Sequence, residues 1–111
     1  MLIIHVRHFL NDKGLAEFDQ WFALCQAYLS KQDGFHSLYR AFDNTQPGLV
    51  HVWLHYESRE KMLVWGESLE HAELIGRLDP YRIQDWEATW YDTESPDVQT
   101  YVIPLGKHSV L

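Results

Sequence analysis

The chain has 111 residues, an ordinary size for one domain and too few for two separate cores. Sixteen acidic against nine basic residues leave a formal charge of −7, and the scattered lysines and arginines argue against nucleic acid or an anionic membrane as a partner. The single cysteine, Cys25, excludes an internal disulfide and any metal site built on a cysteine pair. No run approaches the roughly 18 apolar residues of a spanning helix, and the opening Met-Leu-Ile-Ile-His-Val-Arg lacks the basic flank and long apolar run of a signal peptide. A cytoplasmic protein is expected. Five Trp, six Tyr and five Phe exceed what one small core needs, so some aromatic surface is expected to meet a ligand or a partner chain.

Residues 2–10, LIIHVRHFL, read as a first strand ending in the turn formers Asn11-Asp12-Lys13-Gly14. From Leu15 the apolar residues recur at three- and four-residue steps (Phe18, Phe22, Cys25, Leu29), the stripe of an amphipathic helix, widened by Trp21, Leu24 and Tyr28. Asp33-Gly34 is the expected end of that helix. Residues 35–42 and 49–56 are aromatic and β-branched runs separated by Asp43-Asn44-Thr45-Gln46-Pro47-Gly48, which predicts a hairpin with a long loop. Ser58 is a suitable N-cap for a second helical region, with Met62, Trp65, Leu69 and Ala72 as its expected buried stripe. Gly66 and Ser68 predict a break into two short helices. Pro80 closes the region, and residues 85–92, DWEATWYD, alternate as a fourth strand. Residues 93–111 hold Tyr101-Val102-Ile103, expected to be an edge strand or an arm reaching a partner.

This order is β-α-β-β-α-β, a ferredoxin-like α+β fold with a four-stranded antiparallel sheet over residues 1–92. Two helices can cover only one face of such a sheet. The other face also carries aromatic side chains, so a homodimer is expected.

The element lengths, together with Tyr56-Glu57-Ser58-Arg59-Glu60 leading into Trp65-Gly66-Glu67-Ser68, resemble the antibiotic biosynthesis monooxygenase family, whose members form dimeric α/β barrels. The resemblance implies a cofactor-independent monooxygenase for a small aromatic, polyketide-like or quinol-like substrate, with Trp65 at the position of the tryptophan that lines the pocket. His71 lies one residue out of register with the family's Ser-Pro-His form. Arg7 stands where the haem-degrading branch has an asparagine, and Glu70 or Ile75 where various branches carry a histidine. Neither haem nor a metal is expected.

A cofactor-free oxygenase needs a base and an enclosed cavity, because the substrate becomes electron-rich enough to reduce oxygen once deprotonated. His5 and Arg7 share one strand face, which puts an imidazole beside a fixed positive charge: a candidate base and a candidate anion stabiliser. The bland reading pairs Arg7 with an acidic neighbour and leaves His5 hydrogen-bonded in the sheet. His51 and His55 also share a face, but a four-residue step separates them by roughly 13 Å. They cannot chelate one ion directly and are placed in the sheet-to-sheet interface of the dimer. Trp65, Tyr39 and His71 are the candidate substrate-binding residues. Tyr39 and Arg40 point to opposite sides of their strand, and either could enter the cavity. Cys25, on the buried stripe, reads as an inert core thiol. Two other functions fit the same elements: a pocket that binds a small aromatic or lipid-like ligand without chemistry, and a structural or regulatory dimer with no working cavity.

Overall fold

The computed structural model describes residues 1–93. Strand β1 (Leu2–Leu10) is followed by helix α1 (Asp12–Leu29), strands β2 (Phe35–Phe42) and β3 (Leu49–Tyr56), helices α2 (Arg59–Gly66) and α3 (Leu69–Leu78), a 3-10 turn (Asp79–Tyr81) and strand β4 (Arg82–Asp92). The sheet order is β2-β3-β1-β4 with every neighbour antiparallel, the ferredoxin-like arrangement. The arm or edge strand expected of residues 93–111 lies, beyond Thr93, outside the described residues.

Side chains alternate across the pleat, so the register sorts the strands into two faces. Leu2 and Ile4 of β1, Leu38 of β2 and Val50, Val52, Leu54 and Tyr56 of β3 meet Phe18, Phe22, Cys25 and Leu29 of α1 in one buried core. Trp65 of α2 and Leu74 and Leu78 of α3 complete it. The opposite face, which we call the open face, carries His5 and Arg7 in register with Trp53 and His51 of β3 and with Thr89 and Glu87 of β4. Tyr39 of β2 lies opposite Trp53 and shares that face. Between Glu87 and Gln84 the β4 register slips against Arg7 and Phe9, a bulge that bends the edge strand.

The helix ends follow from local chemistry. Asn11 is the N-cap of α1, its side chain accepting from the Gly14 N–H at 2.8 Å, so the expected turn at residues 11–14 is the first turn of the helix. α1 stops at Leu29, before the expected Asp33-Gly34, and Gly34 takes the left-handed conformation (φ 89°) in the turn that follows. Gly48 takes the same conformation (φ 89°), and its carbonyl accepts from Leu10 N–H, which ties the β2–β3 loop to the end of β1.

Ser58 and Ser68 cap α2 and α3 through bonds to the N–H groups of Lys61 and His71. The break resets the helical phase. Leu69 is 86% exposed and Ala72 is also exposed, whereas the buried positions of α3 are Leu74 and Leu78. A single stripe through Met62, Trp65, Leu69 and Ala72 would require continuous helical winding, which the new cap at Ser68 interrupts. The fourth strand begins three residues earlier than residue 85, directly after the 3-10 turn.

Trp65 is 2% exposed inside the core, so Trp65→Ala should cost about 3–5 kcal/mol. Leu69→Ala should stay within about 0.5 kcal/mol. Urea unfolding of the two variants checks this: equal losses would place Leu69 on the buried side and contradict the phase reset.

Candidate functional site

On the open face four side chains from three parts of the fold form one hydrogen-bonded chain. Arg7 Nη1 lies 3.1 Å from His5 Nδ1. His5 Nε2 lies 2.8 Å from His51 Nδ1, and His51 Nε2 lies 2.9 Å from Asp43 Oδ2. Arg7 also donates to Thr89 Oγ1 at 3.1 Å and approaches the Glu87 carboxylate at 3.8 Å. Asp43, which begins the β2–β3 loop, is held from the other side, its Oδ1 accepting from the backbone N–H groups of Thr45 and Gln46 at 2.8 and 3.1 Å. Its side chain is buried.

Aromatic rings frame this chain. Trp53 stacks on His5 with centroids 4.4 Å apart and planes 5° from parallel, and on His51 at 5.5 Å and 20°. Tyr39 meets His55 edge to face at 5.6 Å and is more than half exposed. Burial pushes the His5 imidazole down to about 4, helped by the charge of Arg7 and by His51. His5 is therefore neutral at pH 7, with a lone pair on Nδ1 directed at Arg7. His55 is also held below its ordinary value, by burial first and by His36 second.

The expected site residues divide between the two faces of the sheet. His5 and Arg7 meet on the open face, and Tyr39 shares that face two strands away, against His55. Trp65 and His71 meet each other edge to face at 5.5 Å on the helical side, where Trp65 belongs to the core. Burial lowers the pKa of His71, opposed by its hydrogen bond with the Gly66 backbone. The sheet lies between these two groups, so they do not converge on one cavity. Burial pushes the Cys25 thiol up to about 12, far from a reactive thiolate.

Two polar features were not singled out from the sequence. One is the link from His5 through His51 to Asp43, which needs the β1–β3 register. The other is His8, which shares the apolar face of Leu2, Ile4 and Val6 and is 3% exposed. Its Nδ1 accepts from Arg82 Nη1 at 3.0 Å, Arg82 Nε donates to Asp79, and the ring meets Trp21 edge to face. The even-numbered alternation of β1 is the signal that finds it. Nearby, a cavity of about 180 Å³ between α1 and α3 is lined by Trp21, Leu24, Leu78 and Tyr81, smaller than the roughly 300 Å³ at which ligand pockets begin.

No family model and no curated protein matches the sequence. Solved structures do match the fold. A protein of Deinococcus radiodurans, provisionally named an antibiotic biosynthesis monooxygenase, superposes with a TM-score of 0.75 at 18% identity, over 96% of this chain and all of that one. A similarly named protein of Caulobacter crescentus gives 0.77 at 15% identity, covering 85% of this chain and 90% of the other. SnoaB, a cofactor-independent oxygenase from Streptomyces nogalater, gives 0.73 at 13% identity over 85% and 93%. The chain therefore has the ferredoxin-like fold shared by proteins that carry the antibiotic biosynthesis monooxygenase name. Among the described residues, no helix is long and apolar enough to cross a membrane.

The buried histidine His8 makes stability depend on pH. Burial, with the Arg82 charge second, lowers it from 6.5 to about 3. Between those values the unfolded chain binds a proton that the folded chain does not, so stability is full above pH 6.5 and falls as pH drops toward 3. His8→Gln keeps an acceptor for Arg82 but cannot titrate. Urea midpoints at pH 7.5 and 5 should differ less in this variant than in the wild type; an unchanged difference would remove His8 as a source of the effect.

Proposed function

We propose that the chain is a cofactor-independent monooxygenase of the antibiotic biosynthesis monooxygenase family, acting on a small aromatic, quinol-like or polyketide-like substrate as a homodimer. The observation that carries this reading is Arg7 bonded to His5 Nδ1 beside the Trp53 ring on the open face. The fold neighbours include a protein described as a cofactor-independent oxygenase, which is the chemistry such a site suits.

In this reading the hydroxyl or enol oxygen of the substrate enters between Arg7 and His5. The guanidinium turns from the imidazole to the developing oxyanion while Thr89 still holds it, and His5 Nδ1 takes the proton. Pairing Arg7 with an anion removes one of the causes that keep His5 weakly basic in the empty site. The electron-rich anion then reduces oxygen. A ring CH2 becomes C=O, one oxygen atom enters the product and the other leaves as water, so the four electrons lost by carbon are those gained by O2. Trp53 and the exposed Tyr39 offer flat surfaces for a planar substrate. A second copy laid on the open face would exclude water from this chemistry.

Oxygen uptake with a panel of anthrones tests the reading. The wild type should consume oxygen and form the quinone, as a species of twice 13.2 kDa by light scattering. His5→Ala should lower kcat by about 10²–10⁴-fold, and Arg7→Met by about 10²–10³-fold. Absence of uptake with every member of the panel, or undiminished uptake by both variants, would overturn it.

A further inference from the structure

We infer that His51 and Asp43 form a one-way hydrogen-bond chain that fixes the tautomer of His5 and carries away the proton His5 receives. The second half of this inference rests on the proposed function; the first stands on geometry alone.

The direction of the chain is set at its two ends. A guanidinium has only donors, so His5 Nδ1 must be an acceptor where Arg7 approaches it at 3.1 Å. A neutral imidazole with a bare Nδ1 carries its proton on Nε2, which faces His51 Nδ1 at 2.8 Å. His51 Nδ1 is then an acceptor in turn, and its own proton sits on Nε2, directed at the Asp43 carboxylate at 2.9 Å. A carboxylate has only acceptors. Three consecutive bonds therefore point from Arg7 to Asp43, and one proton arrangement satisfies all of them. A proton added to His51 Nδ1 would meet the proton on His5 Nε2. Reversing His5 to relieve that clash would set its Nδ1–H against the guanidinium.

The other groups around the chain fit this direction. Glu87 and Thr89 of β4 face Arg7 and hold the charged end. The loop donors Thr45 N–H, Thr45 Oγ1–H and Gln46 N–H engage Asp43 Oδ1, and Oδ2 faces His51. Trp53 stacks on both imidazoles, which keeps the two rings in the plane orientation the bonds require. A proton gained at His5 Nδ1 is passed on by transfer of the Nε2 proton to His51 Nδ1 and of the His51 Nε2 proton to Asp43. Each ring ends neutral with its proton on Nδ1, and the carboxylate ends protonated. The charge gained at His5 appears more than one side chain away from the substrate anion. The chain resets by the reverse path: His5 gives its Nδ1 proton to the hydroxide that leaves as water, His51 returns its Nδ1 proton to His5 Nε2, and Asp43 returns its proton to His51 Nε2.

Asp43→Asn is the discriminating variant. The three loop donors demand an oxygen at the Oδ1 position, so the new amide must present its NH2 to His51 Nε2. The amide then opposes the His51 Nε2 proton, and moving that proton to Nδ1 would oppose the His5 Nε2 proton, so the variant loses one bond of the chain whichever tautomer His51 takes. Nitrogen-15 spectra of the histidine rings at pH 7.5 read this directly. Wild type should carry Nε2–H on both His5 and His51, and Asp43→Asn should shift the His51 nitrogen resonances, through loss of the bond to the carboxylate or of the bond to His5. Wild-type rings in any other tautomer, or an Asp43→Asn spectrum unchanged from wild type, would overturn the chain. In turnover with an anthrone, Asp43→Asn and His51→Phe should each lower kcat at least about tenfold with KM little changed. A changed His51 spectrum accompanied by wild-type kcat would overturn the proton-carrying role while leaving the tautomer role standing. If the wild type oxidises no anthrone, the oxygenase reading and the proton-carrying role fall together, and the spectra alone decide whether the chain has the stated direction.

Discussion

A single donor-only group, the Arg7 guanidinium, fixes the chemistry of the open face. Because it can only donate, His5 must accept from it, and because His5 accepts on one nitrogen it donates from the other. The same charge, together with burial, keeps His5 neutral. A neutral, tautomerically fixed imidazole beside a cation is a suitable resting state for a weak base that becomes stronger when an anion joins it. Lysine in place of Arg7 would supply the charge without the planar fork that engages His5 and Thr89 together.

The fold makes this arrangement possible by dividing polar from apolar duty across one sheet. α1, α2 and α3 bury the even-numbered side chains of β1 and β3, and the odd-numbered ones at mid-strand, His5, Arg7, His51 and Trp53, are left to build a site. The central position of β1 and β3 in the order β2-β3-β1-β4 brings His5, His51 and Trp53 onto adjacent strands, with Thr89 and Glu87 reaching in from β4. The β2–β3 loop adds Asp43, anchored by its own turn. His8 illustrates the contrast: one residue away from Arg7 it faces the helices, and there Arg82 and burial hold it neutral inside the core.

Much of this was legible in the sequence where local chemistry decides. The β2 and β3 bounds follow from turn formers on either side of apolar runs, and the Ser58 cap and the break near Gly66 follow from residue type. That His5 and Arg7 share a face follows from alternation alone. Which face the helices cover was not legible, and so neither was the separation of His5 and Arg7 from Trp65. The phase of α3 was not legible, because the new cap at Ser68 restarts the winding and exposes Leu69. The link through His51 to Asp43 was not legible either. It depends on the register that sets Arg7 opposite His51, and Asp43 reads from the sequence only as a turn former. Residue type marks the ends of elements well, but which polar groups meet across strands is a property of pairing.

Under the proposed function, a planar aromatic substrate binds on the open face beside His5, and not within the helical side beside Trp65. Titration of the protein with a naphthol, followed by histidine and tryptophan side-chain resonances, tests it most directly. The account predicts that His5, His51 and Trp53 shift with one common saturation curve while Trp65, His71 and Trp21 stay still; shifts confined to Trp65 and His71 would contradict it.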